Sequence, residues 1–382
     1  MEKIKVLSVF GTRPEAIKMA PLVLELARRD DVESLVCVTA QHREMLDSVM
    51  GCFNIKSDYD LNIMEDGQTP ESITSRVLAS LSPVLREVRP SITLVHGDTT
   101  TAFSGALAAF YEKIPVGHVE AGLRTFDKYS PFPEEMNRTL ISRLASHHFA
   151  PTNLNSVNLK RESVMGDIFV TGNTVIDAME YTAGSPGGFE SAELRGFDFI
   201  ANPTVLMTCH RRENYGRPME NIFRAVSRLA ESFPDLRIIY PVHPSPYVRE
   251  TAAAILGDVP GVFLIGPLEP HDMHKLMAQC HFIMTDSGGI QEEAPALGKP
   301  VLVLRRETER PEAVNAGTVM LAGVRENEVF YLASRLMTDN AMYEAMSKAV
   351  NPYGDGQACR RIADAILWSF GRTPNRPEDF KV

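Results

Sequence analysis

At 382 residues the chain exceeds what one compact core usually supports, so two domains are expected. Its 44% hydrophobic and 23% charged residues are ordinary for a soluble globular protein, and a formal net charge of −10 is the wrong sign for a nucleic-acid surface. The five cysteines, Cys37, Cys52, Cys209, Cys280 and Cys359, are odd in number, widely spaced and without metal-ligand pairing, which fits a reduced cytoplasmic protein. Met1-Glu2-Lys3-Ile4-Lys5 runs straight into a short apolar stretch, unlike a signal peptide, and no apolar run reaches the length of a membrane span.

Residues 6–10 read as a first strand and residues 14–29 as the helix after it. Residues 35–39, Ile92–His96 and 114–119 read as further strands, with an Ala-rich helix over 101–111. Gly, Ser and Pro cluster across 183–203, which reads as irregular and close to a domain junction. The alternation then restarts with strands at 205–208, 236–240, Val262–Ile265, Phe282–Thr285 and 301–304. Short β-branched runs alternating with helix-length segments predict parallel sheets covered on both faces. Two successive doubly wound α/β domains follow, with ligands expected in a central cleft beyond the carboxyl ends of the strands.

The strand ends carry the polar motifs. Phe10-Gly11-Thr12-Arg13-Pro14-Glu15 is a strand-to-helix turn with a glycine, a cation and a helix-starting proline, and Lys18 lies one turn in. Such a helix start suits an anion; a turn with solvated charges would read the same way. His96-Gly97-Asp98-Thr99-Thr100-Thr101 ends an apolar strand, where Asp98 is either a helix cap or a cleft-facing acid. Val119-Glu120-Ala121-Gly122 puts a second acid at the next strand end. In Pro131-Phe132-Pro133-Glu134-Glu135-Met136-Asn137-Arg138, Glu134 and Arg138 are an i,i+4 pair on one helix face. In the second half, His210-Arg211-Arg212-Glu213-Asn214 and His243 follow strands. Thr285-Asp286-Ser287-Gly288-Gly289 enters a helix with a hydroxyl and bare amides, a place for a diphosphate, and Glu292 or Glu293 lies one turn in, within reach of ribose hydroxyls. Arg305, Arg306 and Arg310 follow the next strand.

Together these strings resemble the non-hydrolysing UDP-N-acetylglucosamine 2-epimerases, in order and spacing, from Gly11-Thr12-Arg13-Pro14-Glu15 to the helix near Arg361. The resemblance implies a GT-B fold of two Rossmann-like domains facing a central cleft: residues 1–175 with the catalytic carboxylates, 176–360 with the UDP site, and 361–382 as a helix and tail crossing back to the first domain. It also implies a homodimer and a role in supplying precursors for cell-surface polysaccharides.

The family reaction inverts carbon 2 of the sugar, whose hydrogen is not acidic. If UDP departs first, the sugar becomes oxocarbenium-like and that proton can be removed, giving 2-acetamidoglucal; UDP then adds back after a proton reaches the opposite face. Two faces and a cation call for at least two acid/base groups and a nearby carboxylate. The resemblance assigns these roles to Asp98, Glu120 and Glu134, with His210 at the diphosphate. Arg13, Lys18, Arg138, Ser287, Gly288, Gly289, Glu293 and Arg310 hold the nucleotide sugar, and Gln41, Gln68, Arg211 and His243 match a second, activating substrate site. This chemistry demands no metal and no nicotinamide. The competing readings are a hydrolysing epimerase releasing N-acetylmannosamine, a GT-B glycosyltransferase, for which no membrane-facing apolar-basic patch is found, and a catalytically silent nucleotide-sugar sensor, which would not need all of Asp98, Glu120, Glu134 and His210.

Overall fold

The computed structural model describes residues 2–40, 43–65, 67–184 and 188–382. Its contacts divide the chain into two units, one made of Met1–Tyr181 with Tyr353–Lys381, the other of Thr182–Pro352.

The first unit holds seven parallel strands: β1 (Ile4–Phe10), β2 (Val32–Val38), β3 (Tyr59–Asp60), β4 (Ile92–His96), β5 (Val116–Val119), β6 (His147–Ala150) and β7 (Asp167–Val170). Their order is β3-β2-β1-β4-β5-β6-β7, so the chain winds outward in both directions from β1 and β4. β1 is buried almost throughout, as a central parallel strand covered on both faces must be. Ile4, Val6, Phe10 and the helix residues Met19, Leu22 and Leu26 share a core with Cys359, Ile362, Ala363 and Ile366 of the helix Ala358–Ser369.

The second unit holds β8 (Thr204–Thr208), β9 (Arg237–Pro241), β10 (Val262–Ile265), β11 (Phe282–Thr285), β12 (Val301–Val303) and β13 (Val319–Leu321), again all parallel, in the order β10-β9-β8-β11-β12-β13. The described part of 183–203 forms neither helix nor strand.

The units divide at Tyr181 and Pro352, whereas the sequence places the bounds at 175 and 360. Local bonding explains the difference. The helix Thr174–Thr182 stays with the first unit as far as Tyr181, because its Asp177 carboxylate accepts the backbone N–H of Ala358 (3.1 Å) and of Cys359 (2.9 Å). Asn173 N–H donates to Tyr353 O at 2.7 Å, which brings the segment before Ala358 along. No helix among the described residues is long and apolar enough to cross a membrane.

Candidate active site

The first sheet reverses its winding between β1 and β4, the point beyond which doubly wound sheets bind ligands. β1, β4 and β5 are neighbours there, and their ends carry Gly11-Thr12-Arg13, Asp98 and Glu120 in turn. Thr12 precedes the helix Arg13–Ala27, and Glu15, one turn in, reaches back to its backbone. The buried Glu15 carboxylate accepts the N–H of Gly11 (3.1 Å) and Thr12 (2.8 Å) with one oxygen, and the hydroxyl of Thr99 (2.7 Å) with the other. One side chain thus ties the turn after β1 to the turn after β4. Burial raises the Glu15 pKa, against the pull of these donors.

Thr99, not Asp98, caps the helix Thr100–Tyr111, accepting Ala102 N–H at 3.0 Å. Asp98 is held instead by Arg138, whose Nη2 lies 2.6 Å from Asp98 Oδ2, and its backbone carbonyl accepts the Asn137 amide at 2.9 Å. Burial pushes the Asp98 carboxyl up, Arg138 pulls it back, and the charges of Glu120 and Glu134 add to the upward push. The expected i,i+4 pairing of Glu134 with Arg138 is therefore corrected. Arg138 is buried and turns to Asp98 and to Glu135, at 3.5 Å, because a desolvated carboxylate across the fold binds a guanidinium better than a partner on the half-exposed helix face.

Glu120 sits at φ +62°, a left-handed conformation costing an L-residue about 1–2 kcal/mol. Lys18, Asn173 and His96 lie against its carboxylate. Lys18 Nζ lies 2.5 Å from Oε1, the Asn173 amide donates to the same oxygen at 3.2 Å, and His96 Nε2 is 3.2 Å from Oε2. Burial lowers the His96 pKa to about 4, so the ring is neutral near pH 7 and Lys18 supplies the positive charge. The backbone reaches this arrangement through Gly97, also at positive φ, where a side chain would meet Glu120 Oε2.

Glu134 opens the helix Glu134–Leu144 and lines a cavity of about 570 Å³ together with Arg13, Gln68, Thr99 and Asn137. Arg13, Gln68 and Glu134, expected in three different roles, line this one cavity. Gln41 lies outside the described residues.

The second sheet reverses between β8 and β11, and its candidates gather at those two strand ends. Fully buried Asp286 organises them. Its Oδ2 accepts the N–H of His210 and Arg211, each at 2.8 Å, and the Asn214 amide at 3.0 Å. Its Oδ1 lies 3.5 Å from His210 Nδ1. The His210 ring stacks on His243 with centroids 5.1 Å apart and planes 10° from parallel. Burial lowers the His210 pKa, Asp286 opposes this, and His243 and Arg211 reinforce it. At Gly288 an added side-chain carbon would lie 3.6 Å from guanidinium nitrogens of both Arg211 and Arg310, so two cations flank the glycine turn after Ser287. Glu292 is buried and bonded to Arg310 Nε at 2.5 Å, while Glu293 stands 3.5 Å from His274 and close to Gly289.

The first unit therefore brings together Arg13, Lys18, Asp98, Glu120, Glu134, Arg138 and Gln68. The second brings together His210, Arg211, His243, Ser287, Gly288, Gly289, Glu293 and Arg310. Sequence reasoning missed Glu15, His96, Asn137, Asn173 and the organising role of Asp286. Glu15 had a signal, the Thr-x-x-Glu spacing of Thr12 to Glu15 before an apolar helix. Asn173 had none, since only the fold carries it to Glu120.

The UDP-N-acetylglucosamine 2-epimerase family profile matches residues 24–367. The Bacillus subtilis UDP-N-acetylglucosamine 2-epimerase is 54% identical over 381 residues, covering 100% of this chain and 99% of its own. The Escherichia coli K12 enzyme of that name is 54% identical over 369 residues, covering 95% and 98%. The crystal structure of the Neisseria meningitidis UDP-GlcNAc 2-epimerase bound to UDP-GlcNAc superimposes with a TM-score of 0.85 at 49% identity, over 95% of this chain and 100% of that one. With its two doubly wound parallel sheets of GT-B type, the chain belongs to the UDP-N-acetylglucosamine 2-epimerase family.

Proposed function

We propose that the chain interconverts UDP-N-acetylglucosamine and UDP-N-acetylmannosamine by eliminating UDP to 2-acetamidoglucal and adding it back. The observation that carries this reading is the set of carboxylates at the switch point of the first sheet, each with a different electrostatic setting. Glu120 is paired with Lys18 and faces a neutral imidazole, which suits a fixed carboxylate beside an oxocarbenium ion. Asp98 has its pKa raised by burial and lies within the field of Glu134, which suits a pair that exchanges protons with carbon 2. Departing UDP needs its charge met, and the Ser287-Gly288-Gly289 turn between Arg211 and Arg310, with His210 beside it, offers that.

The same reading takes UDP-N-acetylglucosamine as an activator next to the catalytic groups. Gln68 shares a cavity with Arg13 and Glu134, and His243 stacks on His210, so an effector touching either would touch the catalytic neighbourhood. A homodimer, a cytoplasmic location and a role in supplying cell-surface polysaccharide precursors complete the proposal.

Incubation with UDP-N-acetylglucosamine in deuterated water tests it. The expected products are both UDP-sugars with deuterium at carbon 2, and initial rates that rise sigmoidally with substrate. Free N-acetylmannosamine and UDP as final products would mean hydrolysis instead. Hyperbolic rates, together with full activity on pure UDP-N-acetylmannosamine, would remove the activator.

A further inference from the structure

The three arginines that follow β12 do not stay together. Arg305 is buried, with Nε 2.5 Å from Glu213 Oε1 and Nη2 3.4 Å from Glu309 Oε1. Arg310 lies beside Gly288. Arg306 is exposed and lines a different cavity of about 600 Å³, with Arg217, Asn221, Gly323, Arg325 and Glu328, none of which belongs to the site described above.

This cavity is basic in an acidic chain. Its three guanidinium groups face one carboxylate, Glu328, which bonds Arg325 at 3.1 Å; three positive charges less one negative leave +2, against −10 for the whole chain. Other arginines nearby are neutralised: Arg224 by Glu220 at 3.3 Å and Arg228 by Glu326 at 2.7 Å. Arg217 and Arg306 form no ion pair among the described residues. Two helices also begin at the cavity, Arg217–Ser232 after Gly216 and Glu326–Thr338 after Arg325, and neither has a side-chain cap on its first-turn amides. These starts add to a potential that the arginines already set.

We propose that this cavity binds a diphosphate group, either free or carried by a nucleotide. The volume lies within the usual range of small-ligand pockets, roughly 300–1,000 Å³. Arg217, Arg306 and Arg325 would surround the anion from two helix starts and a loop, and planar guanidinium forks match phosphate oxygens better than they match water. The site stands independently of the activity proposed above, since it shares no residue with it.

Calorimetry with inorganic pyrophosphate and, separately, with ADP tests this on the full-length protein, its Arg217→Ala/Arg306→Ala double variant and an Arg310→Ala variant. The wild type should show a binding event that Arg310→Ala keeps and the double variant loses or weakens roughly tenfold or more. Its affinity should fall as salt rises. Binding of pyrophosphate identifies a free anion as sufficient; binding of ADP alone identifies a nucleotide-borne one. The double variant should keep its epimerase turnover, because neither arginine touches the catalytic groups. Unchanged binding of both probes in the double variant, or no event beyond the one Arg310→Ala removes, overturns the proposal.

Discussion

Asp98→Asn is expected to lower kcat by about 100- to 10,000-fold, the usual contribution of a general acid or base. The substitution keeps the shape of the side chain and an oxygen for Arg138 to bond, while removing the proton-carrying group. Arg138 keeps a second carboxylate, Glu135, at 3.5 Å, so the buried guanidinium is not left without counter-charge and the sheet should stay folded. The measurement pairs initial rates with thermal unfolding and with deuterium incorporation at carbon 2. Turnover near the wild-type value would remove Asp98 from the chemistry. A large drop in Tm alongside lost activity would reduce it to a partner of Arg138. Glu120→Gln should behave differently, because it removes the negative charge 2.5 Å from the Lys18 ammonium while keeping an oxygen for it to bond.

Removing everything after residue 352 is expected to prevent the first unit from folding. The helix Ala358–Ser369 contributes Ile362, Ile366 and Leu367 to that unit's core, each almost fully buried. At about 1.5–3 kcal/mol per large apolar side chain, these three alone are worth about 5–9 kcal/mol, comparable to the roughly 5–15 kcal/mol that separates folded from unfolded states. The deletion also leaves the Asp177 carboxylate without the two amides that satisfy it. Soluble yield and the cooperativity of thermal unfolding report the outcome. A shortened chain that melts with the wild-type Tm would show that the helix is an ornament. Ile362→Ala isolates a packing part of the effect without changing chain length.

The strands Ile92–His96, Val262–Ile265 and Phe282–Thr285 were legible to the residue, because each is a short apolar run with a polar or glycine turn at its end. β3, β6, β7 and β13 were not. β6 begins His147-His148 and β7 begins with Asp167, so neither shows the apolar run of a buried strand; each exists because a neighbouring strand offers its backbone. Much the same division runs through the site. Acids at strand ends were visible as Asp98 and Glu120, but their partners were not, since Arg138 and Lys18 reach them from helices elsewhere in the chain. Spacing alone suggested Glu134 for Arg138, and helical pairs of that kind are worth only about 0.3–0.5 kcal/mol, too little to compete with a buried bond across the fold. The arginines after β12 make the same point, since adjacency in sequence sent them to three different surroundings.

The late return of the helix Ala358–Ser369 has a consequence for the order of events on the ribosome. The seven strands of the first unit have all been made once Val170 is joined, yet the helix that completes its core comes 358 − 181 = 177 residues after that unit's first segment ends. At roughly 5–20 residues per second, the gap is about 9–35 s. Throughout it the face formed by Met19, Leu22 and Leu26 waits for its cover, while the second unit is drawn from one uninterrupted stretch, Thr182–Pro352. The half translated first is therefore the half finished last, and its waiting apolar face is where a nascent-chain chaperone would be needed.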